Sequence, residues 1–149
     1  MKTPITQKEA LAKCAALCAR CEHAAADLRL KMAQWGLPKS DIDTVIDQLI
    51  DNNYLNDSRF AHAFVRDKFR FSGWGKIKIA HHLRQKGISS SIIAEALQEI
   101  SDDDYRATLT HIIEQKSRGK DLSDPAQKAS VLRFAASRGF EPHLILDIL

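Results

Sequence analysis

Three cysteines lie close together in the arrangement Cys14-x3-Cys18-x2-Cys21, and His23 follows them. Radical enzymes that cleave S-adenosylmethionine use this spacing to bind an iron–sulfur cluster through cysteine thiolates. The same spacing also places the thiols on one face of an alanine-rich helix, where a free cysteine packs as a small hydrophobic residue. Because the cluster of those enzymes needs a loop in a much larger αβ barrel, we interpret the cysteines as packing residues. We expect no metal site and no cofactor.

The other histidines lack the partners that catalysis requires. His62, His81 and His82 lie among basic residues, and His111 and His143 are isolated on predicted helices. None belongs to a catalytic triad or an HExxH pattern, and the chain contains no glycine-rich phosphate loop. The sequence therefore predicts a protein that is not an enzyme.

Positive charge is concentrated in the middle of the chain. Residues 56–88 contain eight lysines and arginines and two aspartates, a net charge of +6, whereas the whole chain carries +3. The residues outside this stretch therefore sum to −3. Clustered basic charge attracts polyanions and acidic protein surfaces at long range. The stretch is a candidate binding surface, and the alternative is a solvated basic helix face.

Length and composition fit one ordinary domain or a stack of small units. The chain has 149 residues, of which 44% are apolar and 28% charged, as in soluble globular proteins. No apolar run is long enough to cross a bilayer, and the first residues do not resemble a signal peptide. Three crowded cysteines do not make a disulfide framework. We expect a cytoplasmic monomer with reduced thiols that does not bind membranes.

A repeat organises the elements that carry this charge. Three similar segments are centred on Gly36, Gly87 and Gly139, which are 51 and 52 residues apart. Before each glycine, an apolar i, i+4 pair marks the inner face of a helix. These pairs are Leu28–Met32, Ile79–Leu83 and Val131–Ala135. Each glycine is predicted to end its helix in the left-handed conformation, and a second apolar helical stripe follows.

A further helix precedes each pair, which makes three helices per repeat. These first helices are predicted at Gln7–Arg20, Asp57–Phe71 and Asp103–Gln115. No segment alternates like a strand, so the sequence predicts an all-α protein of three tandem, helix-turn-helix-like repeats. Their boundaries are predicted at residues 1–54, 55–101 and 102–149. We expect a curved, elongated molecule in which adjacent repeats bury a shared core.

The central repeat resembles that of the RecX family. The matching segments are Leu55–Ala61 (LNDSRFA) and Gly75–Ile88 (GKIKIAHHLRQKGI), and the flanking repeats agree in order and spacing. Asn56 stands where the family usually has an acid, and Lys76 stands where many members have proline. The resemblance implies a curved helical regulator of the RecA recombinase without catalytic activity. Such a regulator binds in the groove of the RecA–DNA filament and suppresses recombinase and coprotease activity, which affects recombination, DNA repair and the SOS response.

The predicted contact residues for the RecA filament or DNA are Arg66, Arg70, Lys76, Lys78, Arg84, Lys86 and Trp74. Arg59, Arg66 and Arg70 lie within about 20° of one line along their helix, opposite the face of Phe60 and Phe64. We expect Arg59 to be structural. Arg84 and Lys86 also suit the negative end of their helix dipole. The tryptophan fits either an interface anchor or a core residue.

A DNA-binding protein is the second hypothesis, because helix, glycine turn and helix is also the outline of a helix-turn-helix. The second helix of that motif would read the bases, but here it carries carboxylates such as Asp41, Asp47 and Glu95. Phosphates would repel such a helix, so we do not expect sequence-specific reading. The alternative function is therefore nonspecific phosphate contact through the basic central repeat.

Overall fold

The computed structural model describes residues 5–149 and is all-α in that part of the chain, as the sequence predicts. The helices of this part are α1 (Gln7–Arg20), α2 (Ala25–Gln34), α3 (Lys39–Asp51), α4 (Asp57–Arg70), α5 (Lys76–Gln85), α6 (Ser90–Leu97), α7 (Asp102–Ser117), α8 (Pro125–Ser137) and α9 (Pro142–Ile148). The predicted first helices of the second and third repeats differ from α4 and α7 only at their ends. Each helix packs mainly against the others of its own group of three, α1–α3, α4–α6 or α7–α9.

Local sequence explains where the helices begin and end. The side chains of Asn56 and Ser89 accept hydrogen bonds from backbone N–H groups in the first turns of α4 and α6, which satisfies donors that lack a partner within the helix. The three repeat glycines follow α2, α5 and α8 with φ angles of 86° (Gly36), 80° (Gly87) and 96° (Gly139). The predicted left-handed helix ends are therefore confirmed.

The buried apolar side chains form two clusters. Helices α1–α3 enclose the first core, which includes Leu28, Val45 and Leu49. Helices α4–α9 enclose the second core, in which Leu83 and Phe140 belong to one cluster. The shared core that we expected between adjacent repeats is thus present between the second and third groups. Between the first and second predicted repeats the expectation holds only for Ala24, which belongs to the second core, and for Leu55, which belongs to the first. The other buried side chains of the first group pack among themselves.

Polar contacts join the first group of helices to the second. The ammonium of Lys86 lies 2.8 Å and 3.0 Å from the two carboxylate oxygens of Asp27. The guanidinium of Arg59 lies 3.0 Å from Glu22 and donates to the backbone oxygen of Asn53 at 2.8 Å. These side chains remain partly exposed, and exposed ion pairs contribute only about 0–1 kcal/mol each. Arg59 therefore has the structural role that the sequence predicts.

Backbone groups join the second group to the third. At the start of α5, the N–H of Gly75 donates to the carbonyl of Arg138 at 2.7 Å, and the N–H of Ile77 donates to the carbonyl of Gly139 at 3.0 Å. The guanidinium of Arg138 donates in return to the carbonyl of Ser72 at 3.0 Å. Together with the shared core, these bonds fix the start of α5 against the turn between α8 and α9.

The exposed area indicates an elongated molecule. The chain exposes 9053 Å², whereas a compact monomer of 16.7 kDa exposes about 7600 Å². The predicted elongation agrees with this excess, and the predicted curvature stays a prediction. Among residues 5–149, the helices are too short or too polar to span a lipid bilayer.

Candidate interaction surface

Helix α4 presents its basic residues on two different sides. Phe60, Ala61 and Val65 are buried, and Phe64 packs against the same core. Lys68 lies toward this side because it follows Phe64 by one turn. Arg66 and Arg70 are each two residues from Lys68, which places them about 160° away around the helix. The basic residues of the central repeat therefore do not form one continuous surface.

Lys68, Trp74, Lys78 and His82 come together beside α5, and we call them the Trp74 cluster. The ammonium groups of Lys68 and Lys78 lie 4.8 Å and 4.5 Å from the centre of the indole ring. The imidazole of His82 meets the same ring edge-on, with the ring centres 4.6 Å apart. Phe64 also contacts the indole, at 6.2 Å between ring centres. A cation near an aromatic face is stabilised by about 0.5–2 kcal/mol.

The charge of the Trp74 cluster at neutral pH comes from its lysines. Burial lowers the pKa of His82, and the nearby side chains of His81, Lys78 and Lys68 lower it further. A lowered pKa keeps the imidazole neutral at physiological pH. The cluster thus combines two cations with an aromatic ring that is only partly buried.

A groove of about 500 Å³ runs beside the Trp74 cluster, between α2 of the first group and helices α4 and α5. Leu30, whose side chain is 64% exposed, lines this groove. Lys86 also lines it, but its ammonium is paired with Asp27. The predicted contact residue Lys86 therefore lies at the proposed surface while its charge is already partnered within the chain.

The other predicted residues of α4 lie apart from this groove. The guanidinium of Arg66 is 3.5 Å from the carboxylate of Glu99, to which His62 is also hydrogen-bonded. Arg70 is exposed and forms no ion pair within residues 5–149. It lines a second groove, between α4 and α7, next to Phe71.

Lys76 contacts the third group of helices rather than the Trp74 cluster. Its backbone N–H donates to the hydroxyl of Tyr105 at 2.9 Å, and its ammonium lies 4.7 Å from the centre of the same ring. The hydroxyl of Tyr105 donates to the carboxylate of Glu141 at 2.5 Å. Burial, together with this hydrogen bond, raises the pKa of Tyr105 well above its usual value. Arg84 is exposed, about 120° around α5 from Lys78.

The three cysteines lie along and just after α1. Cys14 is fully buried in the first core, and burial raises the pKa of its thiol to about 11. Cys18 is partly buried, and Cys21 is exposed at the end of the helix. The packing interpretation is therefore confirmed for Cys14. A thiol with a raised pKa is a poor nucleophile at neutral pH.

Of the seven predicted contact residues, Trp74 and Lys86 line the same groove, and Lys78 contacts the indole of Trp74 beside it. Arg66 and Arg70 line a separate, smaller pocket. Sequence reasoning misses Lys68 and Phe71. Lys68 follows Phe64 by four residues, a spacing that could have placed it at the edge of the core-facing side of α4. Phe71 follows the last residue of α4, where periodicity no longer decides whether a side chain points inward. Contact between any of these residues and a partner stays a prediction.

The family model and the similar proteins of known family all identify the same family. A family model described as "RecX, second three-helix domain" matches residues 56–97. The regulatory protein RecX of Pseudomonas entomophila (strain L48) is 33% identical over 133 residues, which cover 89% of this chain and 84% of that protein. The regulatory protein RecX of Mycobacterium sp. (strain KMS) is 28% identical over 151 residues, which cover 98% and 82% of the two chains.

Solved structures share the fold. The crystal structure of RecX from Lactobacillus salivarius matches with a TM-score of 0.81 at 19% identity, covering 95% of this chain and 93% of that one. Another crystal structure of regulatory protein RecX matches with a TM-score of 0.84 at 20% identity, covering 95% and 72%. The fold, the central three-helix unit and the similarity along most of the sequence agree: the chain belongs to the RecX family of regulatory proteins.

Proposed function

We propose that this protein inhibits the RecA recombinase by binding the RecA–DNA filament, and that it catalyses no reaction itself. In this proposal the protein acts in the cytoplasm as a monomer and thereby regulates recombination and DNA repair. The three units that make the contact are residues 1–54, 55–101 and 102–149. The grouping of helices into α1–α3, α4–α6 and α7–α9 supports these boundaries.

The observation that carries the proposal is the Trp74 cluster within a chain of the RecX family. It presents the lysines of two helices, Lys68 and Lys78, next to a partly exposed indole. Interfaces are enriched in tryptophan at their centres. Cations around such a ring attract an acidic partner surface and orient it before contact. A nucleoprotein filament offers both acidic protein groups and phosphates.

The decisive experiment measures RecA ATPase activity on single-stranded DNA during titration with this protein. We expect the activity to fall as the protein is added. The double variant Lys68→Gln/Lys78→Gln should weaken this inhibition about tenfold or more, because two cations that steer association are lost. The matched control is Lys13→Gln/Lys39→Gln, which removes the same charge from the first group of helices and should inhibit like wild type.

Two results would contradict the proposal. If wild-type protein leaves the RecA ATPase activity unchanged, the proposed inhibitory function is refuted. If the Lys68/Lys78 variant and the control inhibit equally, the Trp74 cluster is not the surface that contacts the RecA filament. Replacing Arg66, Arg70, Lys76 and Lys78 together by glutamate is a less direct test, because the new carboxylate at position 66 would stand beside that of Glu99.

The second candidate function is nonspecific DNA binding through the same central unit. An aromatic ring flanked by cations is the arrangement on which single-stranded nucleic acid stacks without regard to sequence. Binding of labelled oligonucleotides would then fall steeply with salt and would not depend on their sequence. Trp74→Ala should weaken it. Oligonucleotide binding without RecA at concentrations that inhibit the ATPase would favour this candidate.

A further inference from the structure

A second groove lies on the other side of the central unit and contains the most exposed aromatic side chain of the described chain. Phe71 follows the last residue of α4 and is 85% exposed. Together with Phe69, Ile112 and Phe134, it lines a groove of about 680 Å³ between the end of α4 and helices α7 and α8. We call this the Phe71 groove. An exposed apolar side chain in an apolar groove is typical of an interaction site.

The shape of the Phe71 groove follows helix α7. The residues of α7 that line it run from Thr108 to Lys116 with helical spacing, which forms one face about 12 Å long. Phe134 of α8 and Arg138, the residue that follows α8, line the groove one turn apart. A groove of this length between helices fits two turns of a docked helix, which binds by laying its apolar face into the groove.

The charge around the Phe71 groove is positive. Arg70, Lys116 and Arg138 line it, and the described residues that line it include no aspartate or glutamate. The ammonium of Lys116 lies 4.7 Å and the guanidinium carbon of Arg138 lies 5.3 Å from the centre of the Phe134 ring. None of these three cations forms an ion pair within residues 5–149. Their charge is therefore available to an incoming carboxylate.

We propose that the Phe71 groove binds an amphipathic acidic segment of the protein partner. An aliphatic or aromatic side chain of this segment packs against Phe71 and Ile112, while flanking carboxylates pair with Arg70 and Lys116. This inference rests on the proposed function, in which the partner is the RecA filament. A nucleic acid fits less well. The walls of the groove would enclose the polar edges of a base stacked on Phe71, and these edges would lose their hydrogen bonds to water, whereas an apolar side chain loses none.

The test measures binding of fluorescently labelled full-length protein to RecA filaments on single-stranded DNA. Phe71→Ser should weaken binding about tenfold or more, as truncation of an aromatic anchor commonly does. The double variant Arg70→Gln/Lys116→Gln should also weaken binding and should reduce its salt dependence. The matched control is Ile50→Ser, which removes a 51% exposed apolar side chain from α3 and should bind like wild type.

The outcomes distinguish failure of this inference from failure of the proposed function. If wild-type protein neither binds nor inhibits RecA filaments, the proposed function fails and this inference fails with it. If wild type binds and Phe71→Ser binds equally well, only the inference is overturned. If Phe71→Ser loses binding to the same single-stranded DNA without RecA, to the same extent, the groove binds nucleic acid and the inference is again overturned. Unchanged circular dichroism and melting of Phe71→Ser would show that the loss does not come from unfolding.

Discussion

The three repeat glycines allow a stability experiment in which substitutions at Gly36 and Gly87 serve as controls for the same substitution at Gly139. Gly36, Gly87 and Gly139 occupy equivalent positions and all have positive φ angles. A Cβ atom added at Gly36 or Gly87 would meet no atom within 4 Å. A Cβ atom at Gly139 would lie 2.6 Å from the backbone nitrogen of Lys78 and would also overlap the Cβ of that residue. The same substitution by alanine therefore has different consequences at the three sites.

The magnitudes follow from these contacts. Alanine in the left-handed conformation costs about 1–2 kcal/mol, so G36A and G87A should each lower the free energy of unfolding by that amount. G139A has the same backbone cost and must also separate α5 from the turn that precedes α9. That separation weakens the hydrogen bonds that Gly75 and Ile77 donate across the junction, each with a net contribution of about 0.5–1.5 kcal/mol. We expect a total of about 2–5 kcal/mol for G139A.

Urea denaturation followed by circular dichroism measures these differences as shifts in the midpoint at a constant slope. G75A adds an independent check. Gly75 has an ordinary φ of −80°, and a Cβ atom there would lie 2.5 Å from the nitrogen of Phe140. We expect G75A to destabilise by steric contact alone and more strongly than G87A. Equal destabilisation by G36A, G87A and G139A would refute the close approach at this junction.

Three further predictions follow from the interior and from the other junction. Tyr105→Phe should lower the free energy of unfolding by about 1–3 kcal/mol, because the backbone N–H of Lys76 and the carboxylate of Glu141 lose their hydrogen-bond partner. An unchanged urea midpoint would contradict this. Lys86→Met should cost only about 1 kcal/mol or less, since the ion pair with Asp27 is partly exposed, and the difference from wild type should shrink in high salt. In native protein at pH 8, iodoacetamide should modify Cys21 and not Cys14, whose pKa is raised to about 11 by burial. Mass spectrometry of the folded and the urea-unfolded protein would measure which cysteines are modified. Modification of Cys14 in the folded protein as fast as that of Cys21 would contradict this.

The sequence predicts the helices well because their signals are local. Apolar i, i+4 pairs identify the inner faces, and Gly36 and Gly87 mark helix ends whose conformation depends on only a few neighbouring residues. The start of α4 is likewise encoded by Asn56, which accepts a hydrogen bond in the first turn. Tertiary packing therefore adds little to the question of where these helices begin and end.

The candidate site could be predicted only in part, because it depends on contacts between distant segments. The sequence places Arg66 and Arg70 on the side of α4 away from Phe60 and Phe64, and both side chains are exposed. It cannot show that Glu99 lies beside Arg66, or that Lys68 approaches the indole of Trp74 together with a lysine of the next helix. The repeat pattern also treats the three glycines alike, although the backbone of α5 approaches only Gly139.

The two junctions between the groups of helices have different chemistry, and each candidate groove lies beside one of them. The Phe71 groove lies where a shared core and backbone hydrogen bonds join α4–α6 to α7–α9. Its walls are therefore fixed before a partner arrives, which reduces the entropic cost of binding. The groove beside the Trp74 cluster lies where ion pairs join the first group of helices to the second, and Lys86 and Asp27 belong to both an ion pair and the groove. Salt screens such exposed pairs, so salt should change the geometry of this groove as well as its attraction for an acidic partner. A partner that binds both grooves should accordingly lose its contact with the Trp74 cluster first when the ionic strength rises.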